Sequence, residues 1–215
     1  FLGAGISVST GNEPRPPTGT ELANQLAKRI EYTGLDKSLS KVAQYYELER
    51  GRNGLIQYLI KVIGAPQFEP LQTHKIIVRL PFKIIITTNY DRLIELAFDQ
   101  IKKPFVRVVG NSDIAFVDES KRLLIKWHGS IEQPDSIIIT EDDYLNFFNI
   151  LPTVSIVLKS YFATKTLLFL GYSLSDENFR RVFTGVTTDL ARYRRMAYAV
   201  QLSPTHYDQL WWRNK

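Results

Sequence analysis

What most constrains the fold of this chain is an alternation. Short aliphatic and β-branched runs at residues 83–87, 105–109, 123–127, 137–140, 166–170 and 196–201 are separated by stretches with helical periodicity. Runs this short, rich in Ile, Val, Leu and Phe, read as buried strands. Ahead of them, residues 21–31 place Leu22, Leu26 and Ile30 on one helical face, and Thr18 with Glu21 has capping-box spacing at its start. Residues 92–100, 141–150 and 176–195 carry the same helical periodicity. Strands that alternate with helices of about ten residues or more need crossover connections, and hence a mostly parallel sheet covered on both faces. The expected class is α/β, a Rossmann-like, doubly wound fold.

Residues 35–80 interrupt the alternation. Residues 41–50 and 55–63 look helical, separated by Gly51-Arg52-Asn53-Gly54, and another helix is expected near 71–80. This stretch reads as a helical insert within one domain spanning 1–215, since no repeat or low-complexity linker marks a boundary. Phe1-Leu2 runs straight into a glycine loop, as the last residues of a strand would, so the chain is expected to be a fragment of a larger protein.

Composition then narrows the chemistry. The 215 residues include no cysteine, which excludes disulfides, thiol nucleophiles and cysteine-ligated zinc or iron–sulfur clusters. That composition is compatible with a reducing compartment, and a cytoplasmic location is expected. His74, His128 and His206 lie far apart with no His at i+3 or i+4, so no metal is expected. The 27 Lys and Arg against 22 Asp and Glu give a net charge of +5, but they are scattered. Zinc-finger, basic-zipper and RNA-recognition patterns are absent, and direct nucleic-acid binding is not expected. Lys61 and Gly171 interrupt apolar runs far shorter than the ~20 residues of a membrane span, so a soluble domain without a membrane partner is expected.

Four segments at the ends of these runs could carry chemistry. Gly3-Ala4-Gly5-Ile6-Ser7 follows the first apparent strand. Glycines there let backbone N–H groups approach a diphosphate, although Val8 stands where a third fingerprint glycine would be, and a structural turn is the alternative. Thr87-Thr88-Asn89-Tyr90-Asp91 closes the Ile84-Ile85-Ile86 run, where open α/β sheets bind ligands. Asn89 and Asp91 also suit a turn and a helix cap. Trp127-His128-Gly129-Ser130 offers an imidazole at a strand end, a general base or a structural histidine. Gly171-Tyr172-Ser173-Leu174-Ser175-Asp176 could contact a ribose, or form a loop with Ser175 or Asp176 capping the next helix. Arg180-Arg181 and residues 192–195 read as a solvated helix side, and Trp211-Trp212 as a packed terminal pair.

Taken in order, each after a strand, these segments resemble the sirtuin family. GAGIS matches, TTNYD stands beside the family's TQNID, HG follows, and GYS stands near its GTS. The resemblance covers residues 3 to about 200 and implies a Rossmann-like domain that binds NAD and cleaves its nicotinamide–ribose bond. It also implies roles by motif. Gly3, Ala4, Gly5 and Ser7 would hold the diphosphate, Asn89 and Asp91 would line the nicotinamide-ribose pocket, His128 would be the catalytic base, and Gly171 and Ser173 would meet the adenosine side. Asn89 would further orient water or a ribose hydroxyl.

The departures are informative too. Deacylating sirtuins usually carry a four-cysteine zinc ribbon and a peptide-clamping segment, and this chain has no cysteine. The family's IPDFR segment is replaced by Asn12-Glu13-Pro14-Arg15-Pro16-Pro17, which leaves only Arg15 as a candidate there. Such departures resemble the divergent, zinc-free branch of bacterial anti-phage defence. The implied activity is NAD glycohydrolysis to nicotinamide and ADP-ribose, with NAD as substrate, no metal, a sensor domain or partner protein outside this chain, and a homo-oligomeric assembly. Acyl or ADP-ribosyl transfer to protein, and a non-catalytic NAD or ADP-ribose sensor, are the alternatives.

Overall fold

The computed structural model describes residues 1–8, 11–174, 177–190, 195–200, 206, 209 and 210, with the side chains of 177, 178, 187 and 189 outside that set. Ser175, Asp176, residues 192–194, Trp211 and Trp212 therefore lie outside the described residues. Among the described residues five strands form, β1 (Ile84–Thr87), β2 (Phe105–Val108), β3 (Arg122–Lys126), β4 (Leu167–Leu170) and β5 (Ala197–Val200). All three ladders are parallel: β1 with β3, β3 with β2, and β4 with β5. Leu2 joins the two groups by pairing in parallel with both Thr87 and Leu170. Its N–H donates to Ile86 O at 2.8 Å, and the Leu170 N–H donates to Phe1 O at 2.9 Å. The order across the sheet is therefore β2, β3, β1, the chain's first residues, β4, β5, as an α/β crossover fold requires.

Both faces are covered. On one, Ile85, Leu124 and Ile6 pack with Ile77, Val78, Ile94 and Phe98 of α3 (Gln72–Arg79) and α4 (Leu93–Gln100). On the other, Ile86, Ile125, Trp127 and Phe169 pack with Val154, Leu158 and Phe162 of α7 (Pro152–Thr164) and with Phe179 and Phe183 of α8 (Glu177–Leu190). The buried β-strands are nearly continuous in apolar residues because neither face meets water.

The region expected as a helical insert divides its loyalties. α1 (Gly19–Arg29) and α2 (Leu39–Ile63) share a core of Leu22, Leu26, Val42, Leu55 and Leu59, whereas α3 covers the sheet. Thr18 Oγ1 accepts from the Glu21 N–H at 3.3 Å and the Glu21 carboxylate accepts from the Thr18 N–H at 2.8 Å, the capping box the spacing predicts. The expected break at Gly51–Gly54 appears as one kinked residue inside α2, Gly51 at φ +74° and ψ 161°.

Three local expectations change. Residues 137–140 form no strand; Ile137 and Ile139 pack into the α1–α2 core instead. The single helix expected over 141–150 is two short ones, α5 (Glu141–Leu145) and α6 (Phe147–Ile150), meeting at Asn146. α7 was not anticipated, although Pro152 at its first turn is a helix-start signal.

Candidate active site

The parallel register brings four chain crossings to one edge. Leu2 pairs with Thr87 and Leu170, and Thr87 with Lys126, so Gly3, Thr88, Trp127 and Gly171 all leave the sheet at its carboxyl edge. A cavity of about 1180 Å³ opens there. Gly3, Ala4, Gly5, Asn89, Asp91, His128, Gly171 and Ser173 line it; Ser7 does not. The opposing wall is one that motif reading missed: Thr18 and Gly19 at the start of α1, Asp36 to Ser40 leading into α2, and Thr73 and Ile76 of α3. The amino end of α1 thus faces the cavity, where backbone dipoles favour an anion.

Three glycines make one side of this site possible. The Gly5 N–H donates to Gly171 O at 2.9 Å, so the two loops meet backbone to backbone. A Cβ on Gly3 would lie 2.6 Å from that oxygen, and one on Gly5 2.7 Å from it. Gly171, at φ +58°, would place a Cβ 2.3 Å from the Ile6 nitrogen. The glycines therefore serve loop-to-loop contact as well as an open approach to the cavity.

The Asn89 loop is held from below. Thr87 Oγ1 donates to Leu2 O at 3.2 Å and accepts from the Asn89 N–H at 3.1 Å, and the Asn89 amide donates to Gly3 O at 3.4 Å. Asp91 Oδ1 accepts from the Leu93 N–H, the first amide of α4, at 2.9 Å. Beneath it, fully buried Lys126 donates to the Asp91 carbonyl and lies 3.2 Å from the Glu95 carboxylate. Tyr90 O accepts from the Ile131 N–H at 2.9 Å and Tyr90 Oη donates to Ile138 O at 2.8 Å, which ties this loop to the segment after β3.

His128 is buried at the cavity wall, its ring edge-on to Tyr144 at 5.3 Å, with Tyr144 Oη 3.4 Å from Nδ1. Gly129 makes the turn behind it at φ +88°, where a Cβ would lie 2.2 Å from Ser136 O. Ser7 sits behind the glycine loop, 3.1 Å from Nε2 of fully buried His74, whose Nδ1 accepts from the Leu71 N–H at 3.0 Å. Burial pushes the His74 ring below the ordinary imidazole value, opposed by the Asp91 charge. His74 was excluded only as a metal ligand; its partner lies 67 positions away, and nothing local announces it. Arg15 is absent from the cavity wall and forms a two-pronged pair with Glu21, both contacts at 2.7 Å. No group of His, Asp and Glu among the described residues has the geometry of a metal site, and no described helix is long and apolar enough to cross a membrane.

Residues 83–215 match the model of the SIR2-like domain family. Over 207 residues the chain is 32% identical to the NAD(+) hydrolase ThsA of Acinetobacter baumannii, covering 93% of this chain and 41% of that protein. It is 31% identical over 212 residues to the NAD(+) hydrolase ThsA of Enterococcus faecium, covering 93% and 42%. A 105-residue stretch is 36% identical to defense-associated sirtuin 2 of Bacillus subtilis, covering 47% of this chain and 10% of that protein. The chain thus spans about four tenths of the length of the two hydrolases.

Proposed function

The chain belongs to the SIR2-like domain family, and from that premise we propose that it cleaves the nicotinamide–ribose bond of NAD, yielding nicotinamide and ADP-ribose. One observation carries the reading: the glycine seam, Asn89, Asp91 and His128 converge on a single cavity at the carboxyl edge of a parallel sheet. The names of the two NAD(+) hydrolases support the same substrate.

In this reading Gly3, Ala4, Gly5 and the start of α1 hold the diphosphate, and Gly171 and Ser173 meet the adenosine. Asn89 and Asp91 fix the ribose beside nicotinamide. The C1′–N bond breaks, its electron pair leaves with nicotinamide, and water adds to the oxocarbenium-like C1′. Asn89 orients that water or a ribose hydroxyl, and His128 takes its proton. Positioning and fixed dipoles supply most of the acceleration. Ser7 acts one layer back, through its contact with His74 of α3.

The name of defense-associated sirtuin 2 supports a role in defence. We further propose that the domain depletes NAD during phage infection, within a larger protein that carries a sensor and assembles as a homo-oligomer in the cytoplasm. The test is release of nicotinamide and ADP-ribose from NAD by the full-length protein, with and without an acyl-lysine peptide. Peptide-independent release that His128→Ala and Asn89→Ala each lower by about 10²-fold or more, to a residual rate that is still measurable, is the expected result. Near-wild-type release by His128→Ala would overturn the mechanism. Peptide-stimulated release with deacylation would establish a transferase, and tight binding without cleavage a sensor. A monomeric mass for the active protein in light scattering would exclude the oligomer.

A further inference from the structure

We infer that Tyr144 is a positioning residue that fixes the His128 ring through Nδ1, an assignment that rests on reading His128 as the base. An imidazole that accepts a proton at Nε2 must carry its own proton on Nδ1. A group that accepts from Nδ1 holds that tautomer and the ring's orientation together, and the phenol oxygen of Tyr144 stands 3.4 Å from it. Both residues line the cavity. Edge-on contacts with Tyr144 at 5.3 Å and Phe147 at 6.5 Å, and a tilted one with Trp127 at 6.0 Å, leave the imidazole within an aromatic enclosure.

Tyr144 is itself held in place. α5 starts at a capping box in which Thr140 Oγ1 accepts from the Asp143 N–H at 3.2 Å and Asp143 accepts from the Thr140 N–H at 3.1 Å. Asp143 also accepts from the Ile139 N–H at 2.9 Å and pairs with Arg52 of α2 at 2.9 Å. One residue earlier, Gln44 of α2 exchanges two 3.0 Å hydrogen bonds with Asp142. The Gly51 kink separates Gln44 from Arg52 along α2, and the two together clamp the helix that carries Tyr144. The clamp makes the hydroxyl a fixed feature of the wall.

The experiment measures nicotinamide release by the full-length protein carrying Tyr144→Phe, which keeps the ring and removes only the hydroxyl, alone and in a His128→Ala background. The expected result is a kcat lowered about tenfold or more, part of the ~10²–10⁴ a general base supplies, with KM and melting temperature nearly unchanged. In the His128→Ala background the same change has no further effect, because the two residues act as one unit. An unaltered kcat, or an equal reduction in both backgrounds, would overturn the assignment. If the wild-type protein releases no nicotinamide, the hydrolase reading fails separately, and ¹⁵N spectra of the histidine rings still decide the role of Tyr144. A His128 Nδ1–H tautomer that is lost in Tyr144→Phe supports it; identical spectra refute it.

Discussion

Replacing Lys126 by Met removes the charge that compensates a buried carboxylate. Glu95 is as enclosed as Lys126, accepts no well-formed hydrogen bond, and has Arg107 no nearer than 4.0 Å. Two unit charges 3.2 Å apart attract by about 5 kcal/mol at an effective dielectric of about 20. Removing one partner of such a pair costs about 3–5 kcal/mol, and the Asp91 carbonyl, left without its donor, adds about 1 kcal/mol or more. A domain stable by about 5–15 kcal/mol would lose a large part of its margin. Lys126→Met with Glu95→Leu removes both charges, and such replacements are often neutral, so the double variant should regain most of the loss. Urea unfolding followed by tryptophan fluorescence reads the difference, with Trp127 adjacent to the change. Equal stability of single and double variants would refute the reasoning. Nicotinamide release should stay impaired in both, because neither restores a donor to the Asp91 carbonyl.

Gly171→Ala should cost about 2–5 kcal/mol in a urea titration, from its left-handed backbone and a Cβ pressed on the Ile6 nitrogen; a wild-type midpoint would refute the seam. Glu21 is held down from its ordinary 4.5 to about 2, first by the Arg15 hydrogen bond and then by the Thr18 N–H. A depressed carboxyl stabilises the fold fully above its unfolded value and loses that contribution as pH falls toward 2. Melting curves of wild type and Glu21→Gln should therefore converge as pH drops from about 5 to 2, and a constant gap would refute this. Arg52→Ala should lower kcat for nicotinamide release through the loosened α5; unchanged kcat would sever α2 from His128.

The parts of the fold that were legible in sequence are those whose partners announce themselves locally. The run Ile84-Ile85-Ile86 is buried on both faces, and its strand end carries Asn89. Thr18 and Glu21 meet within one helical turn. Residues 137–140 show the limit of that reading, because an apolar run does not say what it pairs with. Ile138 N donates to His128 O and Ile139 N to Asp143, so the backbone is satisfied outside any ladder. Lys126 and Glu95 are 31 positions apart, and in sequence each looks like a solvent-facing charge. The cavity's second wall was invisible for the same reason: Asp36 and Ser38 carry no motif and gain meaning only where α1 and α2 bring them.

The seam made by Leu2 also acts as a ruler. It occupies one strand position between β1, whose end carries Asn89 and Asp91, and β4, whose end carries Gly171 and Ser173. Neighbouring strands lie about 4.8 Å apart, so the ends of β1 and β4 are separated by about two spacings, near 10 Å. Sheet hydrogen bonds set that distance, and side-chain rotamers cannot change it. Under the function proposed above, a ligand that engages both ends must bridge a gap set by the backbone, so its reach is measured against the sheet before any side chain reads its chemistry.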